Sequence, residues 1–91
     1  MRCELCEREV SRVTIHHLIP RQKNGGKGPT ARICSACHRQ LHHIFENTTL
    51  ARELNTLEKI RQHPEMQRFL NWVRKQDPDR RIRVRRKKPR M

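Results

Sequence analysis

The chain contains no tyrosine, and its only large rings are Phe45, Phe69 and Trp72. A core built from so few aromatics rests on aliphatic side chains, and a domain of 91 residues is marginal without a further constraint. Glycine is scarce as well: Gly25, Gly26 and Gly28 are all there is, and they share one stretch. Acids number 9 against 22 Lys plus Arg, which excludes an acidic solvating chain. No apolar run approaches the ~20 residues of a membrane span. Met1-Arg2-Cys3 opens without the apolar core of a secretory leader. The expectation is one small cytoplasmic domain, perched on whatever chemistry can staple it.

The staple is in the composition: 4 cysteines and 6 histidines, in a chain of formal charge +13. The charge is uneven. Residues 80–91 hold 8 Lys or Arg and no acid, and residues 1–79 carry the remaining net +5. A like-charge block repels itself and stays extended, so 80–91 reads as an arm for phosphate backbones, with Arg80, Arg81, Arg83, Arg85 and Arg86 as its contacts.

The cysteines form two C-x-x-C pairs, Cys3–Cys6 and Cys34–Cys37. Each such turn sets two thiolates at neighbouring corners of a tetrahedron, and two turns complete a closed four-sulfur zinc site. Zn²⁺ there is structural, and its binding energy becomes folding energy. Between Cys6 and Cys34 lie 27 residues, more than the roughly 15–20 of the simplest paired-knuckle pattern.

That insertion has its own pattern. In Arg12–Pro20, Val13, Ile15, His17 and Ile19 share one parity and Thr14, His16 and Leu18 the other, which predicts a strand ended by Pro20. The glycine-bearing stretch after it predicts a loop. Ala31-Arg32-Ile33-Cys34 returns as a second strand. After Cys37, Leu41, Ile44 and Phe45 fall at helical spacing, with His38 and His42 four apart on one face. The hairpin brings His16 and His17, the helix brings His38 and His42, and the zinc site ties both elements together. Two histidine pairs on zinc-anchored elements predict that His16, His38 and His42 ligate a second metal ion. His43 falls on another helical face and is expected at the surface or facing phosphate. His63, before Pro64, is expected to have a structural role at a helix start.

Taken together, Cys3–Cys6, His16-His17-Leu18-Ile19-Pro20, Ile33-Cys34-Ser35-Ala36-Cys37-His38 and His42 resemble the HNH endonuclease family. The adjacent histidines followed by H-x-x-x-H are similar to its colicin-type subgroup. The resemblance covers about residues 1–47. It implies a ββα-metal fold, in which a hairpin and a helix grip one divalent cation. It implies His17 as the general base, His16, His38 and His42 as the metal site, and DNA as the substrate. The asparagine of the family name has no counterpart near the second strand, where Pro29, Thr30, Ala31 and Arg32 stand; Asn24 is the only asparagine between His17 and His38. Thr30 or a backbone group is left to orient the base. Imidazole favours Ni²⁺ or Zn²⁺ and the phosphate favours Mg²⁺ or Mn²⁺, so the pattern admits all four as the catalytic ion. Arg21, Lys23, Lys27, Arg32 and Arg39 surround these histidines in sequence and are candidates for flanking phosphates.

Residues 48–79 predict supporting helices. Thr48 or Thr49 is placed to cap a segment with Leu50, Ala51 and Leu54, and Asn55 to open another in capping-box order with Glu58. Pro64 suits the first turn of a last helix. There Met66, Phe69, Leu70 and Val73 make an apolar stripe for core packing or a dimer face, with Trp72 beside it.

The expected class is α+β: a small ββα-metal unit at 1–47 stapled by the four-cysteine zinc, helices at 48–79 completing the same domain, and a basic arm at 80–91. The expected activity is metal-dependent hydrolysis of DNA by a monomer or homodimer, with or without a recruiting protein. The alternative is a non-catalytic zinc-knuckle module that binds nucleic acid and has no use for the histidines.

Overall fold

The computed structural model describes residues 1–20, 28–78 and 80. The expected loop cations Arg21, Lys23 and Lys27, with Asn24, and the arm residues Arg81, Arg83, Arg85 and Arg86 lie outside the described residues. Within them the chain is α+β, with a two-stranded sheet and four helices. None of these helices is long and apolar enough to cross a membrane.

The first turn is the knuckle of Cys3 and Cys6. Glu7 adopts a left-handed φ of 66°, which costs a non-glycine residue roughly 1 kcal/mol. Its N–H donates to Cys3 O at 2.9 Å, and its carboxylate accepts from Arg2 at 3.0 Å. An antiparallel bridge between Arg2 and Glu9 closes the loop.

Strand β1 (Thr14–His17) pairs antiparallel with β2 (Thr30–Ile33), setting His16 opposite Ala31 and His17 opposite Thr30. The β-branched alternation correctly marks a strand, yet the aliphatic parity is not the buried one. Ile15 is 51% exposed, whereas His16 is 2% exposed. The small Ala31 across the ladder leaves an imidazole room on the inward face. The knuckle is bonded to β2 on both sides: Glu4 N–H donates to Arg32 O at 2.9 Å, and Arg32 N–H donates to the Glu4 carboxylate.

Helix α1 (Ser35–Ile44) starts directly from Cys34, which serves as N-cap with no side-chain capping bond. Its stripe buries Cys37 and Leu41, and it ends one residue before Phe45, which is extended but still buried. Helix α2 (Asn47–Glu53) begins earlier than expected: Thr48 and Thr49 lie inside it and Glu46 is its N-cap. In α3 (Leu57–Gln62) the cap is Thr56, not Asn55, and its hydroxyl accepts from Lys59 N–H at 3.1 Å. Asn55 is occupied elsewhere, its amide donating to Ala51 O at 3.2 Å. Helix α4 (Pro64–Val73) opens with Pro64, and His63 Nδ1 accepts from Glu65 N–H at 3.2 Å. His63 also meets Phe45 edge-on at 4.7 Å, so its expected structural role is realised.

Met66, Phe69, Leu70 and Val73 are all buried, and Trp72 is about half exposed. The four buried residues join Leu5, Ile33, Leu41, Leu50 and Ile60 in one apolar cluster with the four cysteines. The second half of the chain therefore shares a core with the first, and the stripe on α4 is core packing.

Candidate metal centres

The C-x-x-C turns bring Cys3, Cys6, Cys34 and Cys37 together as the sequence predicts. All four are buried, and their sulfurs lie within 4.8 Å of one another. Cys3 Sγ stands 3.8 Å from Cys37 Sγ, and Cys6 Sγ stands 3.9 Å from Cys34 Sγ. A disulfide needs ~2.05 Å. The edge of a Zn–S tetrahedron with ~2.3 Å bonds is roughly 3.8 Å, so the set is shaped for a four-coordinate ion such as zinc. Backbone N–H groups of Cys6 and Cys34 donate to Cys3 Sγ at 3.4 and 3.3 Å. Titrated as free thiols the four cannot share one behaviour. The hydrogen bond from Cys3 holds Cys34 down to about 6, while the bond with Cys3 pushes Cys37 far above the ordinary thiol range.

Arg8, which sequence reasoning passed over, supplies the countercharge. Its Nε donates to Cys6 Sγ at 3.2 Å and its Nη2 to Cys34 Sγ at 3.5 Å. Its Nη1 reaches Gln76 O and Asp77 O, each at 3.3 Å. One guanidinium thus joins the thiolates to the segment after α4. Nothing in a lone Arg two residues beyond Cys6 signals this, because the contact spans nearly 70 residues of chain.

The second group is His16, His38 and His42, whose ring nitrogens lie within 4.8 Å of one another. Ring centroids are 5.3 Å apart for His16–His38, 5.4 Å for His16–His42 and 5.0 Å for His38–His42. Burial, then the nearness of His38, His42 and His17, pulls His16 down to about 4. Burial and His42 lower His38, and burial and His43 lower His42. All three are therefore neutral imidazoles at pH 7, the form that binds metal. The fit to an ion rests on one atom. His16 Nε2 is sealed from solvent with no hydrogen-bond partner, which is costly for a buried polar group. An ion among the three rings would relieve that cost.

Thr14, also missed by the sequence reading, supports this group: its Oγ1 lies 2.7 Å from His38 Nδ1 and donates to Ile33 O at 3.1 Å. His17 is half-buried at the end of β1, beside His16 in sequence and opposite Thr30. His43 corrects its expected surface placement: it is half-buried, and its Nδ1 is closed off from solvent. Arg32 is exposed on β2, Arg80 is exposed past α4, and Arg39 is half-buried with its Nε on Ser35 O at 3.4 Å.

Comparison with known proteins adds kinship without a role. The chain is 43% identical over 82 residues to the uncharacterized protein YisB of Bacillus subtilis strain 168, covering 90% of this chain and 82% of that one. No family model matches the sequence. No solved structure matches it either.

Proposed function

We propose that this chain, which belongs to the same family as Bacillus subtilis YisB, is a metal-dependent endonuclease of the HNH type that hydrolyses DNA. The observation that carries this reading is the convergence of His16, His38 and His42, with His16 Nε2 buried and unpartnered. A second donor set, chemically distinct from the thiolates, has no place in a domain that needed only a staple. The order hairpin then helix, with metal-ligating residues on both, is the arrangement the resemblance implies.

In this reading Cys3, Cys6, Cys34 and Cys37 hold structural zinc. His16, His38 and His42 would hold a divalent cation, which would supply charge stabilisation at the scissile phosphate. His17, beside His16 but on the other face of β1, takes a proton from the attacking water, a task suited to a neutral imidazole. The burial of His16 keeps bulk water from one side of the site. Arg32 and Arg39, on β2 and α1, would contact flanking phosphates, which positions DNA without reading its bases.

The test is cleavage of supercoiled plasmid by zinc-loaded protein, with Mg²⁺, Mn²⁺, Ni²⁺ or Zn²⁺ supplied, comparing wild type with His17→Ala. Nicking that requires a supplied ion and disappears in His17→Ala is the expected result. If folded wild type cuts with none of these ions yet binds DNA, the alternative of a non-catalytic zinc-knuckle module takes its place.

A further inference from the structure

Helices α3 and α4 frame a polar cleft of about 370 Å³ lined by Arg61, Gln67, Leu70, Asn71 and Arg74. It shares no residue with either metal centre. The backbone of the first knuckle fixes both arginines: Arg61 Nη2 donates to Glu4 O and Arg74 Nε donates to Cys6 O, each at 3.2 Å. A carbonyl satisfies one N–H and neutralises no charge. Each guanidinium has five N–H donors, so most remain available. Among the described residues neither arginine is in an ion pair, and no carboxylate lines the cleft.

The rest of the wall is neutral and donor-rich. Gln67, Asn71 and Arg74 fall at i, i+4 and i+7 along α4, so two side-chain amides and a guanidinium share one face. Leu70, almost fully buried, forms the floor. Two fixed cations lining one cleft repel each other, and an anion between them reverses the sign of that interaction. Guanidinium forks with flanking amides suit the tetrahedral oxygens of phosphate.

We infer that this cleft is a phosphate-binding site, and that its occupant is a backbone phosphate of nucleic acid held away from the histidine cluster. It needs neither the histidines nor a second metal ion, so it extends the proposed function without depending on cleavage.

The experiment uses full-length zinc-loaded protein, labelled with ¹⁵N. Inorganic phosphate and a short DNA duplex are titrated separately while the side-chain signals of Arg61, Arg74, Gln67 and Asn71 are followed. Asn71→Asp places a carboxylate in the cleft and breaks neither arginine–carbonyl bond. Thr48→Glu, exposed on α2, makes an equal change in net charge elsewhere. The expected result is that duplex moves the four signals, Asn71→Asp weakens duplex binding about tenfold, and the salt slope falls by roughly 0.9. Thr48→Glu should stay within twofold of wild type. Movement of the signals by phosphate, weakened in Asn71→Asp but not in Thr48→Glu, with duplex binding absent or equal in both variants, keeps the anion site and overturns nucleic acid as its occupant. Absence of duplex binding would also remove the nuclease reading while leaving the cleft. If neither titrant moves the four signals, or Asn71→Asp weakens binding of both no more than Thr48→Glu does, the inference is overturned.

Discussion

The hydroxyl of Thr14 lies 2.7 Å from Nδ1 of His38 and gives its own hydrogen to Ile33 O at 3.1 Å. With its one proton committed, the oxygen can only accept, so His38 carries its proton on Nδ1 and presents the bare Nε2. Outer partners of this kind typically contribute 10–100-fold to metal affinity. Thr14→Val, which keeps the shape and removes the acceptor, should lower affinity for the ion at the histidine cluster by about that factor. Thr14→Ser should restore most of it. Calorimetric titration of zinc-loaded protein checks both, and equal affinities for all three proteins would show that Thr14 does not set the tautomer.

Protons and metal compete for the same imidazoles. Three ordinary histidines with pKa near ~6.5 would together lose roughly 50-fold in metal affinity between pH 7.5 and 6.0. Here burial and mutual repulsion lower all three, His16 to about 4. A lowered value means less protonation at pH 6, so competition by protons sets in later. The expected loss over that interval is therefore smaller than roughly 50-fold, with the His16 ring resisting protonation down to about pH 4. Affinities measured across that range decide it.

Arg8 bonds two sulfurs and two carbonyls from within the core. Charge-assisted bonds contribute about 1.5–3 kcal/mol. Arg8→Met should therefore cost about 2 kcal/mol, a fall in Tm on the order of 10 °C for a domain this small. Calorimetry gives the Tm. The same variant should speed zinc release to a chelator, because the thiolates lose their countercharge.

Loss of a zinc ligand should be more severe than any core truncation. Cys34→Ala leaves three buried sulfurs and an incomplete tetrahedron, and the cooperative thermal transition should disappear. Met66→Ala, in the same apolar cluster, should keep a sharp transition with stability lowered by about 2–5 kcal/mol. Circular dichroism during heating separates these two outcomes.

Much of this was readable because the clustered cysteines and histidines sit at fixed local spacings. C-x-x-C and H-x-x-x-H are dictated by a turn and by one helical turn, so the clustering of the four cysteines and of His38 with His42 follows from short-range geometry. The direction of β1 was less accessible. Alternation places Ile15 and His16 on opposite faces, and hydrophobicity alone would turn Ile15 inward; Ala31 across the ladder decides for His16. Caps were hidden by competition. Asn55 is as good a capping residue as Thr56, but its side chain is engaged by Ala51 and Lys59. Thr48 and Thr49 had no reason in sequence to yield to Glu46. Thr14 and Arg8 act on partners 24 and nearly 70 residues away, and no local pattern encodes such a distance.

The two donor sets differ in how they meet solvent. Cys3 and Cys37 are 0% exposed, so an ion among the sulfurs leaves only when the domain opens. His42 stands at the surface edge of its cluster, so an ion held there would exchange with bulk water while the fold stays intact. In the proposed reading one centre would keep its ion for as long as the fold is closed, and the other would follow the ions around it. If the proposed nuclease reading holds, the same folded molecule would work at a pace set by its surroundings' supply of metal, with no change in the amount of protein.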